Sequence, residues 1–208
     1  MKSEDKKFTY SKNNINCILI QLWYLVVDML GKVEKCGQSD IKLVSTALML
    51  AAKGHAEQQR KSDNSPYINH LIEVMSLLVE LAHETAPSVL CAAILHDSLE
   101  DTNITQSTIL SEFGVETLEM VKALTDDKSL SLEIRRQHIL DKLPTASDNI
   151  RRIKLADVCS NASAIPVTWD EQRLTDYFLW LDQVAALCRE ASEVLYQEYL
   201  VRRTNFTS

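Results

Sequence analysis

Cys91-Ala92-Ala93-Ile94-Leu95-His96-Asp97-Ser98-Leu99-Glu100-Asp101-Thr102 is the stretch that decides which fold this chain adopts. It opens on small and apolar residues suited to the inside of a helical bundle. It then presents four ionisable groups at consecutive and i+4 positions. Such groups are costly at the end of a largely buried helix unless something there uses them. On a helix His96 and Glu100 share one face, and Asp97 and Asp101 share the adjacent one. That wedge can offer two ligands to a metal and two carboxylates to whatever the metal activates. The competing reading is a frayed helix end with solvated charges, and a His-Asp pair in isolation would favour it.

Two distant segments can complete a metal site. Imidazole with carboxylate is a mixed nitrogen and oxygen set suited to manganese, iron or zinc, but such a cation needs further ligands. Arg60-Lys61 is followed, across a polar loop, by Pro66-Tyr67-Ile68-Asn69-His70, which sets a histidine at the start of a helix. Ile153-Lys154-Leu155-Ala156-Asp157, with Asn161 one turn later, sets a carboxylate in an otherwise apolar helical stretch. A buried aspartate needs a partner. A metal would serve, and so would a salt bridge to Lys154 or Arg151.

Helices dominate the surroundings, because the chain has only four glycines and four prolines and little of the alternation that strands require. The pattern predicts a helix from Asp40 that carries His55 and Gln58 toward its end, with Ile41, Val44, Ala47, Leu48, Ala51 and Ala52 on one face. Others are expected over 68–82 and over 87–99, the latter with Pro87 in its first turn. A short helix capped by Asn103 or Thr105 should stop at Gly114. Further helices are expected over 115–124, 130–143, 148–164 and 169–199. Connections this short imply an all-α, compact multi-helix bundle. The expected organisation is an extension over 1–39 with one apolar helix, a domain over 40–200 and a tail over 201–208.

The 208 residues carry a net charge of −7 and a pI near 5.3, which argues against a protein that lies along nucleic acid. An anionic ligand must then be held by a local basic cluster. Cys17, Cys36, Cys91, Cys159 and Cys188 are odd in number, scattered and without paired spacing. Buried thiols in a reducing, cytoplasmic setting follow more readily than disulfides or a zinc ribbon. The apolar run 15–30 is interrupted by Gln21 and Asp28 and is shorter than the roughly 20 residues of a membrane span. It reads as an amphipathic helix packed on the domain or on a partner, and it leaves room for an oligomer formed through it.

Taken in order, Gln59-Arg60-Lys61 to Pro66-Tyr67-Ile68-Asn69-His70, His96-Asp97 to Glu100-Asp101-Thr102, Leu124-Thr125-Asp126-Asp127-Lys128, and Lys154-Leu155-Ala156-Asp157 to Asn161 resemble the HD-type hydrolase domain of the Rel/Spo alarmone enzymes, in its small stand-alone form. The likeness covers roughly 41–187, and nothing resembles the synthetase half of the long enzymes. The resemblance implies that His70, His96, Asp97 and Asp157 bind one divalent metal, usually manganese in this family, and that Glu100 and Asp101 are the catalytic carboxylates. It also implies that Arg60, Lys61, Lys128, Arg135 and Asn161 contact the nucleotide or its phosphates. The reaction implied is hydrolysis of the 3′-pyrophosphate of (p)ppGpp-type nucleotides.

Departures bear on the substrate. Val158 stands where the family pattern has a basic residue, and Ala164 stands where Thr or Asp is common. Adenine alarmones and the 2′-phosphate of NADPH therefore stay open, as does a nucleotide-binding regulatory module without turnover. His55, His83 and His138 match no ligand position; His55 could line the pocket, but capping a helix face is the expected role. Trp169 and the Tyr177-Phe178-Trp180 group read as core packing.

Overall fold

The computed structural model describes residues 37–205. The apolar helix expected over 15–30 lies outside the described residues. In chain order the helices are α1 (Gln38–Gly54), α2 (Ile68–Glu80), α3 (Pro87–Leu95), α4 (Ser98–Asp101), α5 (Gln106–Leu124), α6 (Leu132–Lys142), α7 (Asp148–Ala162), α8 (Glu171–Cys188) and α9 (Glu193–Thr204). Short 3-10 turns at Leu143–Thr145 and Arg189–Ala191 join some of them. Among the described residues there is no strand, and no helix is long and apolar enough to cross a membrane.

Helix α3 is the centre of the packing. Val89 through Leu95 are all buried, because the helix is in contact with α1, α2, α5 and α7. An apolar side chain such as Leu90 or Leu95, taken fully out of water there, stabilises the fold by about 1.5–3 kcal/mol. Wrapped on all sides, α3 can place polar residues only where it ends. His96 and Asp97 fall at that point, between α3 and the single turn of α4. The helix expected over 87–99 is therefore divided, although His96 and Asp97 keep αR backbone angles.

Two glycines have specific tasks. A Cβ on Gly54 would lie 2.9 Å from Ile104 Cδ1 and 3.2 Å from Thr102 Cγ2, so glycine lets the end of α1 approach the segment after α4. This ends α1 sooner than its pattern suggested: His55 is its C-cap, and Gln58 lies beyond it. Gly114 has φ +82 and kinks α5 where the sequence expects a stop. Thr105 caps that helix by accepting from the Thr108 amide at 3.2 Å.

The single helix expected over 169–199 is two. Ser192 accepts from the Leu195 amide and starts α9, which runs on to Thr204. The side chain of Ser192 competes successfully for the backbone there, a signal that apolar periodicity does not register.

Candidate active site

Three parts of the fold converge at the end of α3. The segment before α2 doubles back on itself, with the Arg60 amide donating to Ser65 O (2.8 Å) and the Tyr67 amide donating to Gln58 O (2.9 Å). This brings Arg60, Lys61 and Tyr67 alongside His70 in the first turn of α2. The α3–α4 junction supplies His96, Asp97, Glu100 and Asp101, and α7 supplies Asp157 and Asn161.

At the bottom of the site His70, His96 and Asp97 offer ligand atoms within 4.8 Å of one another. His96 Nε2 lies 3.1 Å from Asp97 Oδ2 and 3.8 Å from Asp157 Oδ1. His70 Nε2 lies 3.3 Å from Asp157 Oδ1 and 3.7 Å from Asp97 Oδ2. The hydrogen bonds on the far side of each ring settle which atom faces in. His96 Nδ1 donates to Ala93 O at 2.7 Å, so in the neutral ring the buried Nε2, which faces Asp97 and Asp157, carries a lone pair. His70 Nδ1 lies 2.8 Å from Ser160 Oγ, whose one hydrogen goes to Glu73 Oε2 at 2.6 Å. The ring nitrogen must therefore donate, and His70 Nε2 is also a lone pair.

Two lone pairs thus face two carboxylate oxygens, an arrangement that is repulsive unless a cation or a proton lies between them. Ligand atoms about 2.1 Å from a common metal stand about 3.0–3.4 Å apart when adjacent; the separations of 3.1 and 3.3 Å fall in that range and those of 3.7 and 3.8 Å lie just beyond it. His70, His96 and Asp97 could hold a divalent cation, and Asp157 Oδ1 faces the same two imidazoles.

The carboxylates are prepared for that charge. Burial disfavours an ionised Asp157, but Lys154 Nζ at 2.9 Å from Oδ2 holds its carboxyl well below the usual range. Asn161 Nδ2 donates to its Oδ1 at 2.6 Å. Burial likewise opposes an ionised Asp97, and positive charge beside it, carried by His96 and His70 when their rings are protonated, overcomes it. Tyr67 donates its hydroxyl to Asp97 Oδ2 at 2.5 Å. Burial and the surrounding aspartates raise the Tyr67 phenol, which stays protonated and remains a donor.

Beside this cluster Glu100 and Asp101 form a second acidic pair. Burial, then Asp97, Asp126 and Asp101, push the Glu100 carboxyl above its ordinary value, although the Asp126 amide donates to Oε2 at 3.1 Å. Lys128 pairs with Asp101 and lies 3.5 Å from Glu100. Arg135 lies 3.8 Å from Glu100 and 3.6 Å from Asp126. Lys128 and Arg135, expected on phosphate, rest here on the acidic pair.

A cavity of about 230 Å³ adjoins His70 and is lined in part by Arg60, Lys61, Tyr67, Asn161, Trp169 and Tyr177. Arg60 is only 10% exposed and donates to Ser160 Oγ at 2.9 Å and to Ser160 O at 3.3 Å. The aromatic pair read as core is a wall of this cavity, with Trp169 edge-on to Tyr177 at 5.0 Å and Arg173 over the Trp169 ring at 4.3 Å. Of the two departures, Ala164 borders the cavity, whereas Val158 is buried in the core and is not among the residues lining the cavity. His55 is the C-cap residue of α1, and its ring stacks on Tyr67 at 5.1 Å.

Sequence reasoning gave no role to Tyr67, Glu73, Ser160 or Arg202. Tyr67 and Ser160 lie inside quoted motifs, yet their partners come from other helices, and one-dimensional spacing does not show such pairs.

The profile of the HD domain family matches residues 47–173. The guanosine-3′,5′-bis(diphosphate) 3′-pyrophosphohydrolase MESH1 of Xenopus tropicalis is 36% identical over 162 residues, 76% of this chain and 90% of that protein. The MESH1 of Homo sapiens is 37% identical over 139 residues, 64% of this chain and 78% of that protein. A solved metazoan ortholog of SpoT, described as hydrolysing ppGpp, superposes with a TM-score of 0.74 at 31% identity, covering 79% of this chain and 95% of that one. With this spread of agreement over sequence and fold, the chain belongs to the HD domain family and, within it, to the Rel/Spo-type group of the metazoan SpoT homologues.

Proposed function

We propose that the chain is a metal-dependent phosphohydrolase that removes the 3′-pyrophosphate of (p)ppGpp-type alarmones, giving GDP or GTP and pyrophosphate. The observation that carries this reading is the convergence of two imidazole lone pairs and two aspartate oxygens beside a second carboxylate pair. The activity named for the MESH1 relatives supports it.

In this reading His70, His96, Asp97 and Asp157 hold one divalent cation, which we take to be manganese. A cation there supplies Lewis acidity, drawing charge from a phosphoryl oxygen and making water easier to deprotonate. Glu100 and Asp101 orient the attacking water and take its proton. The water oxygen bonds to phosphorus, the bond from phosphorus to the ribose 3′ oxygen breaks, and that oxygen leaves with a proton returned by the carboxyl pair. Lys128, whose side chain is 49% exposed, is free to turn from the carboxylates to an incoming phosphate, with Arg135 behind it. Arg60, Lys61 and Asn161 face the nucleotide from the cavity wall.

Pyrophosphate release with manganese, before and after Asp101→Asn, tests this mechanism, and equal rates would end it. Ala164 on the cavity wall favours a second reading, in which the same site takes (p)ppApp or the NADPH 2′-phosphate. Turnover on the guanosine, adenosine and NADPH substrates side by side separates these. Stoichiometric metal and tight nucleotide binding without product would instead mark a silent regulatory module.

A cytoplasmic setting is part of the proposal. Cys159 and Cys188 are buried and form no disulfide, and burial pushes their thiols up to about 12. Self-association through the segment 15–30 is a separate expectation, and a solution mass of the full chain decides it.

A further inference from the structure

We propose that Glu73, Ser160 and Arg202 form a relay that keeps His70 in its metal-binding tautomer, so that the last helix, α9, contributes to metal affinity. The inference rests on the metal-site reading above.

Ser160 is fully buried and its hydroxyl is the hub. It gives its hydrogen to Glu73 Oε2 (2.6 Å) and accepts from Arg60 Nη1 (2.9 Å) and His70 Nδ1 (2.8 Å). A hydroxyl has one hydrogen and two lone pairs, so all of its capacity is used and the direction of each bond is fixed. Without the Glu73 carboxylate the hydroxyl hydrogen can turn to His70 Nδ1. The imidazole proton would then move to Nε2 and point at Asp97 and Asp157, where a cation must sit.

Glu73 is held in turn from α9. Arg202 Nη1 lies 2.5 Å from Glu73 Oε1, and the guanidinium is fixed by Glu198 Oε1 (2.6 Å), Ser163 Oγ (3.1 Å) and Cys159 O (3.3 Å). Burial would raise the Glu73 carboxyl, but Ser160, Arg202 and Arg60 outweigh it and keep it ionised. A carboxylate behind a ligating histidine commonly alters metal affinity when removed. Here the carboxylate acts through a serine, and the residue steadying it lies beyond 200, in the stretch that the sequence reading set apart as a tail.

The test is titration of chelator-treated full chain with cobalt(II), followed by binding isotherm and visible absorption, for the wild type, S160A, S160T, E73A, E73Q, R202A and H96A. The wild type should take one ion and H96A none. S160A and E73A should bind about 10–100-fold more weakly with an altered cobalt spectrum, and R202A should follow in the same direction. S160T, which keeps the hydroxyl, should stay near the wild type. E73Q, which keeps an acceptor, should lie closer to the wild type than E73A does, and that contrast decides the matter if S160A does not fold. Unchanged affinity and spectrum in folded S160A and E73A would overturn the relay while leaving the metal site standing. A wild type that takes no ion would overturn the metal site itself, and the relay with it.

Discussion

Replacing Asp157 by alanine separates the two tasks of that carboxylate. Its Oδ2 neutralises Lys154, and its Oδ1 faces the two imidazoles. The Asp157 and Lys154 side chains are 8% and 12% exposed, so removing the aspartate leaves an ammonium with little water around it. Breaking a buried pair on one side costs about 3–5 kcal/mol. For a domain of this size 1 kcal/mol moves the Tm by about 2–4 °C, so the metal-free variant should melt roughly 6–20 °C lower. The second task appears on adding metal. At about a thousand times its Kd an ion that binds only the folded state stabilises by about 4 kcal/mol, which is about 8–16 °C of Tm for the wild type. D157A should lose most of that gain. The double variant D157A/K154M removes the orphaned cation, and should recover much of the metal-free Tm without recovering the response to metal. Differential scanning calorimetry of the three proteins, with chelator and with manganese, reads each of these quantities. A D157A protein that melts with the wild type in chelator, or that gains the full increment from manganese, would refute the reasoning.

Three further outcomes are expected. Lys128, 3.5 Å from Glu100, is coupled to it and favours its ionised form, so K128M should raise the Glu100 carboxyl further and move the acid limb of the hydrolysis rate to higher pH; an unmoved limb in the pH profile would exclude Glu100 as the group observed. Glu73 has a folded pKa below its unfolded one, so its contribution is present above the unfolded value and is lost as pH falls through the folded value. E73Q should accordingly show a shallower loss of Tm on acidification than the wild type, and parallel curves would contradict this. G114A places a Cβ at φ +82 with open space around it, so its cost is backbone strain alone, about 1–2 kcal/mol, seen as a Tm drop of about 2–8 °C.

The fold was legible because the apolar face of α1 and the unbroken apolar run of α3 leave few ways to bury themselves except in a helical bundle. Gly114 and Pro87 were legible as punctuation, since each has a backbone preference independent of tertiary context. The division at Arg189–Ala191 was not, because Ser192 competes for the backbone only where the chain is already turned. In the site, the four side chains with unusual chemistry in apolar surroundings could be named from spacing and resemblance, and the structure places them together. The supporting groups could not. Glu73, Ser160 and Arg202 are ordinary residues at ordinary helical positions until α2, α7 and α9 bring them within hydrogen-bonding distance. Tyr177 reads as core from sequence because an aromatic at helical spacing looks the same whether it faces a neighbour or a cavity.

The most direct measurement is chromatographic analysis of ppGpp incubated with the full chain and manganese, alongside samples with chelator, with H96A and with D101N. The expected result is GDP and pyrophosphate in equal amounts from the wild type, with product falling to background in the other three. Product that persists in chelator, or a wild type that binds manganese one to one and leaves ppGpp intact, would contradict the assignment of this site to 3′-pyrophosphate hydrolysis.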